Sequence, residues 1–218
     1  GHIAKLIRDY VVRGGFLFAM CSAPETLDIA LAADSGRIDI VAPEIDGTPV
    51  KANYQSKLKF DQTFTFKDFK LYPNPNRYEF SNIDNPQPEL NPLSGVEDFI
   101  LFEFAAKHDP IPTMLTQNHK ARISGYLGQT TSFNKNTIHQ STTILAEIEG
   151  TEYAKYIHGN LGKGTFTFLA GHDPEDYRHL VGEGRIPTNL NLHKHSSGYR
   201  LILNNILFPA AKKKPQKT

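Results

Sequence analysis

The sequence predicts an α/β domain, with a mostly parallel sheet and helices on both faces. Three observations carry this. A one-face helical stretch, an unbroken apolar run and a second helical stretch follow one another at the start of the chain, the succession that parallel sheets use. The apolar run, Phe16 to Met20, contains no polar residue, as in strands buried on both faces. The length, 218 residues with 39% hydrophobic and 22% charged, suits one domain with a substantial core.

Along the chain, the first helix places Ile3, Leu6, Ile7, Tyr10 and Val11 on one face and ends at Gly14-Gly15, a C-cap signal. It begins without a capping residue. A domain rarely opens on a helix so ready to pack, so 1–218 reads as one domain forming the C-terminal part of a longer protein. Its sheet would then look incomplete, with an apolar face beside the first helix exposed or covered by another chain. After the strand at Phe16–Met20, Ser22-Ala23-Pro24-Glu25 reads as a capping box opening a helix to about Ala33. Residues 38–42 are a further strand candidate. Residues 43–95 change texture, with clustered Pro and Asn around an alternating "FTFKDFKL". They predict an irregular insertion with a hairpin or short strands, bordering a cleft.

Strands are expected next at 99–104 and 113–116, in "ARISGYLG" and in "TTILAEI". Two more, 153–158 and 165–170, flank "GNLGKG" as a hairpin. That Gly-rich segment lacks the spacing of a nucleotide loop. A final helix carries Leu201, Leu203, Ile206 and Leu207, and "KKKPQKT" is read as a solvated basic end.

Charge excludes some partners. Lys and Arg number 24 against 23 Asp and Glu, a net charge of +1, so no overall field recruits nucleic acid or an anionic membrane. No apolar run approaches the ~20 residues of a membrane span, and the start of this chain carries no secretory signal. The single cysteine, Cys21, rules out an internal disulfide, which fits a reducing compartment without fixing a location.

Cys21 stands where the apolar strand gives way to a helix, in Ala19-Met20-Cys21-Ser22-Ala23. Small residues two positions either side are what a nucleophile elbow demands. The nearby helix N-terminus favours thiolate over thiol. The competing reading is a small buried residue ending a strand, a common place for a free cysteine.

"GKGTFTFLAGHDPEDY" resembles the C-terminal signature of the ThuA-like branch of the class I glutamine amidotransferase superfamily. "RGGFLFAMCSAPETLDIALAA" resembles its central strand, elbow and helix, and "YRLILNNILFPAA" its final helix. The whole chain is similar to bacterial proteins labelled asparagine synthetase B. True synthetases of that class use an N-terminal cysteine and an ATP-pyrophosphatase, and neither is present in this sequence. The resemblance implies a flavodoxin-like fold, Cys21 as nucleophile and His172 as general base. The family's run of His-Pro-Glu is one residue longer here, His172-Asp173-Pro174-Glu175, so Glu175, Asp173 or Asp176 would orient the imidazole. Topology of that kind would bring Cys21 Sγ and a His172 ring nitrogen within roughly 3–5 Å, with Glu175 preferred over Asp173 at the other nitrogen.

Ser22, His108, Gln117, Asn118 and His119 are candidates for substrate binding, the last four because His108 follows one strand candidate and Gln117, Asn118 and His119 follow another, at what would be the ligand edge of a parallel sheet. Turn chemistry explains the same residues. His193 and His195 could chelate with His172 or Asp173, but no paired metal motif supports this, and neither metal nor cofactor is expected. Two functions fit. One is a cysteine-dependent amidotransferase or hydrolase acting on an amide through a thioester at Cys21. The other is a non-catalytic scaffold, or a domain binding a sugar or small metabolite, with Tyr72, Tyr78 and Tyr126 as stacking candidates. The expected partners are a small-molecule substrate or sugar, and either a second copy or an N-terminal part of the protein.

Overall fold

The structure, a computed structural model, describes residues 1–38, 53–72, 81–84, 99–102, 120–123, 126–127, 132–174, 191 and 194–210. Helix α1 (His2–Val12) leads through Gly14, at φ 118°, into strand β1 (Phe16–Met20), which is followed by α2 (Ala23–Ser35). A short helix α3 (Tyr54–Lys57) precedes β2 (Phe99–Leu101), β3 (Arg122–Ile123), β4 (Tyr126–Leu127), β5 (Phe133–Asn134) and β6 (Thr143–Glu147). Strands β7 (Tyr153–Leu161), β8 (Gly164–Leu169) and β9 (Asp173–Pro174), then α4 (Ser197–Ala210), complete the order.

The architecture is mixed α/β. Seven described strands form one sheet in the order β1-β8-β7-β6-β2-β3, with β5 also on β7, and β4 and β9 form a separate pair. The parallel character expected of the sheet is found at β1–β8; the other ladders among the described strands are antiparallel. The reason is local. β7 and β8 are joined by a two-residue turn at Gly162-Lys163, which can link only antiparallel neighbours, and Gly162 adopts φ 61° there. The strands therefore run further into "GNLGKG" than expected. β1 ends the described strand order instead of occupying its centre.

Side chains alternate between two cores. Leu17, Ala19, Phe166 and Phe168 face α1, α2 and the 60s segment. Phe18, Met20, Tyr156 and Leu169 face Leu201 of α4, so helices cover both faces. Phe64 packs edge-on against Phe166 at 5.4 Å between ring centres. Two helices depart from their expected faces. On α1, Val11 is buried, yet Ile3, Leu6 and Tyr10 point outward. On α4, Leu201 is buried while Leu203, Ile206 and Leu207 are exposed, and Asn204 and Asn205 go inside. Asn205 can be buried because its Oδ1 accepts from Tyr156 Oη at 2.9 Å and its Nδ2 donates to Leu201 O at 2.9 Å.

The described part of the insertion is irregular, as expected. The alternating stretch buries Phe64, Phe66, Phe69 and Leu71 but, among the described residues, makes only isolated bridges, Phe66 to Ile138 and Leu71 to Ser81. Asp28 explains why the chain lies there: its carboxylate accepts from the backbone N–H groups of Phe64, Thr65 and Phe66 at 2.7, 2.9 and 2.8 Å. Ile38 packs at the edge of the first core; the remainder of 38–42, 113–116, Tyr78 and the basic end lie outside the described residues.

Candidate functional site

The β1–β8 ladder pairs Phe16 with Thr165 and Met20 with Leu169, so the residues that follow each strand emerge together. Cys21 N–H donates to Leu169 O at 3.1 Å and to Gly171 O at 3.2 Å. The residue after Met20 is thereby tied to the residue before His172. Both Cys21 and His172 are half-buried.

Cys21 adopts φ 60°, the left-handed region that costs a non-glycine residue roughly 1–2 kcal/mol. Only Cys21 and Ser22 separate β1 from α2, and Cys21 takes the left-handed bend of that short turn. Gly171, at φ 78°, makes the matching bend before His172, in a conformation glycine takes without strain. Beyond His172, the pairing of Asp173 with Leu127 anchors the outgoing chain.

Ser22 is the residue before α2, but the expected capping box is absent. Ser22 lies in the right-handed helical region and makes no side-chain cap bond; its carbonyl accepts from Thr26 N–H at 2.9 Å. Glu25 does not reach back. It is 1% exposed and its Oε1 accepts from Ser81 Oγ at 2.6 Å. Tertiary packing has drawn this carboxylate inward, onto Ser81 of the insertion.

The backbone of Asp173 is described at β9, whereas Glu175, Asp176, His108, Gln117, Asn118, His119 and His193 lie outside the described residues. His195 is exposed, and among the described residues no three His, Cys, Asp or Glu side chains gather to hold a metal. No described helix is long and apolar enough to cross a membrane.

Asp28, His158 and Lys155 are among the buried ionisable groups that no motif in the sequence marks. Asp28 lies wholly in the core, and burial pushes its carboxyl up to about 6 despite the three N–H donors. His158 on β7 is 1% exposed; burial holds its imidazole down to about 4, with Nδ1 at 2.8 Å from Thr167 Oγ1 and Nε2 without a partner among the described residues. Lys155 is fully buried, and its carbonyl accepts from Ala170 N–H at 2.9 Å, two positions before His172. The signal for Asp28 was present: it occupies the buried face of α2 together with Ile29 and Ala32. Nothing local distinguished His158 or Lys155 from the alternating residues of any strand. No protein-family model, curated protein or solved structure matches this chain.

Proposed function

We propose that the protein is a cysteine-dependent amidotransferase or amide hydrolase of the glutamine amidotransferase-like, ThuA-like type, on a flavodoxin-like scaffold. In this reading Cys21 is the nucleophile and His172 the base. The observation that carries the reading is the left-handed Cys21 between β1 and α2, tied through its own N–H to Gly171 O beside His172. Strain at a non-glycine residue persists where the surroundings over-determine it, and such positions gather at active sites. A sharp strand-to-helix turn lifts a nucleophile clear of both elements, and the start of α2 favours negative charge close by.

The chemistry follows from a cysteine–histidine pair. The imidazole of His172 takes the thiol proton, and Cys21 Sγ attacks the amide carbonyl. The leaving amine departs with that proton, giving a thioester that water hydrolyses to the acid and the free thiol, while in an amidotransferase the released ammonia passes to a separate acceptor. Glu175 or Asp173 would orient the imidazole, and Ser22, His108, Gln117, Asn118 and His119 would line the substrate side.

Alkylation of the folded protein by iodoacetamide across pH 5 to 9 tests the nucleophile. The expected result is modification of Cys21 well below pH 8, and a shift of that profile to higher pH in His172→Ala. Ammonia release from glutamine and related amides should vanish in Cys21→Ala. A thiol inert until pH 8 or above in the folded protein would refute the assignment in favour of the scaffold reading.

A further inference from the structure

Lys155 stands apart from the other buried residues of the sheet. It is 0% exposed, and lysines are almost never fully buried. The register of β7 against β6 slips at this residue. Glu147 pairs with Ala154 and Ala146 with Tyr156, which leaves Lys155 with no residue opposite it on β6. An extra residue of this kind re-aims a side chain, and such bulges gather beside active sites.

On its other side Lys155 meets the end of β8. Ala170 N–H donates to Lys155 O at 2.9 Å, while Cys21 N–H bridges Leu169 O and Gly171 O from the end of β1. Lys155 and Cys21 therefore flank Ala170 from opposite sides. Neighbouring strands lie ~4.8 Å apart, so the two Cα atoms are roughly 10 Å apart, and a lysine's four-carbon stem covers more than half of that. The face is fixed as well. Opposed residues of adjacent strands share a face, and Ala170 belongs with Ile157 and Phe168 to the core beneath α2. Lys155 thus enters the layer between the sheet and α2, at the end where Cys21 and His172 emerge.

The charged groups around it come from several elements. Glu25 lies in the first turn of α2 and Asp84 in the insertion, next to Ile83, whose carbonyl accepts from Asn134 N–H beside the β5–β7 ladder. Asp28, deeper on α2, is met by three backbone donors and by the charge of Arg8 on α1. Arg200 belongs to α4, across the sheet. Glu25 and Asp84 are 1% and 4% exposed, and buried carboxylates on their own would hold Cys21 as the neutral thiol. A buried cation on the same face opposes them, and water and salt screen it little. Resting on the assignment of Cys21 as nucleophile, we propose that Lys155 is a positioning residue of that site, whose ammonium offsets the buried carboxylates and stabilises the Cys21 thiolate.

Iodoacetamide labelling across pH 5 to 9, on the unmodified chain, Lys155→Met and Lys155→Arg, tests the proposal. The labelling midpoint should move up by about one pH unit in Lys155→Met and stay near the unmodified value in Lys155→Arg, which keeps the charge. An unshifted midpoint in Lys155→Met overturns the proposal and leaves the nucleophile in place. An equal shift in both variants also overturns it, because packing and not charge would then be the cause. A thiol inert below pH 8 in the unmodified chain removes the nucleophile itself, and the role of Lys155 falls with it. Should Lys155→Met fail to fold, charge-selective alkylation of the unmodified chain decides. At pH 9 an ordinary imidazole is neutral and an ordinary ammonium still charged. Anionic iodoacetate should therefore gain severalfold on neutral iodoacetamide, relative to the same ratio in a peptide of residues 19–23. A ratio equal to the peptide's, or below it, overturns the proposal.

Discussion

His158 and Asp28 should set opposing acid responses that hide each other in the unmodified protein. His158 is held at about 4 in the fold, against 6.5 when exposed. Between those values the unfolded chain binds a proton that the native state refuses, so this group withdraws stability as pH falls from 6.5 toward 4. Asp28 is raised from 3.8 to about 6, so between 6 and 3.8 the native state binds the extra proton and gains stability over nearly the same window. At about 1.36 kcal/mol per pKa unit, each shift is worth about 3 kcal/mol, with opposite signs. The perturbation that separates them is His158→Gln, which removes the titration while retaining a polar group for Thr167 Oγ1. Denaturant unfolding at pH 7 and pH 4.5 provides the assay. From the higher pH to the lower, the variant should gain about 2–3 kcal/mol relative to the same change in the unmodified protein. Asp28→Asn should behave oppositely, losing about 2 kcal/mol more than the unmodified protein over the same interval. Only the change with pH is read, so any constant cost of either substitution cancels. Superimposable pH dependences for His158→Gln and the unmodified protein would refute the argument.

Two further outcomes follow from the backbone. Cys21→Gly should relieve the left-handed strain and raise stability by about 1 kcal/mol in denaturant melts, while abolishing iodoacetamide labelling and amide hydrolysis. A loss of stability there would mean that the conformation carries no strain. Gly164→Ala should lower the midpoint of thermal unfolding sharply, by a destabilisation on the order of 2–4 kcal/mol. The new Cβ would stand 2.1 Å from Val11 O and 2.2 Å from Gly15 O, both backbone atoms that cannot move aside cheaply. An unchanged midpoint would show that the junction of α1 with β8 is looser than this packing requires.

Local chemistry sufficed for much of the fold. Gly14-Gly15 stops α1, the unbroken apolar run becomes β1 with the bounds expected, and Pro24 sits in the first turn of α2. These features depend on residues within a turn or two of one another, and a sequence displays them directly. The strand-to-helix turn belongs here too, since small flanks and an abrupt strand-to-helix change are local, and they mark the residue that adopts φ 60°.

Tertiary structure alone decided which faces meet. The same 3.6-residue period describes Leu6 and Val11, yet one is exposed and the other buried, because only one side of α1 has α2 and the sheet beside it. Asn204 and Asn205 displaced Leu203 and Ile206 from the interior of α4, because Tyr156 supplies Asn205 with a buried partner from a strand far away in sequence. Glu25 could cap its helix or turn inward, and Ser81 tipped it inward. No spacing in the chain connects Cys21 with Gly171 and His172. They come together because β1 and β8 are parallel neighbours in register, and register is a property of the assembled sheet, fixed by which side chains the two cores can accept.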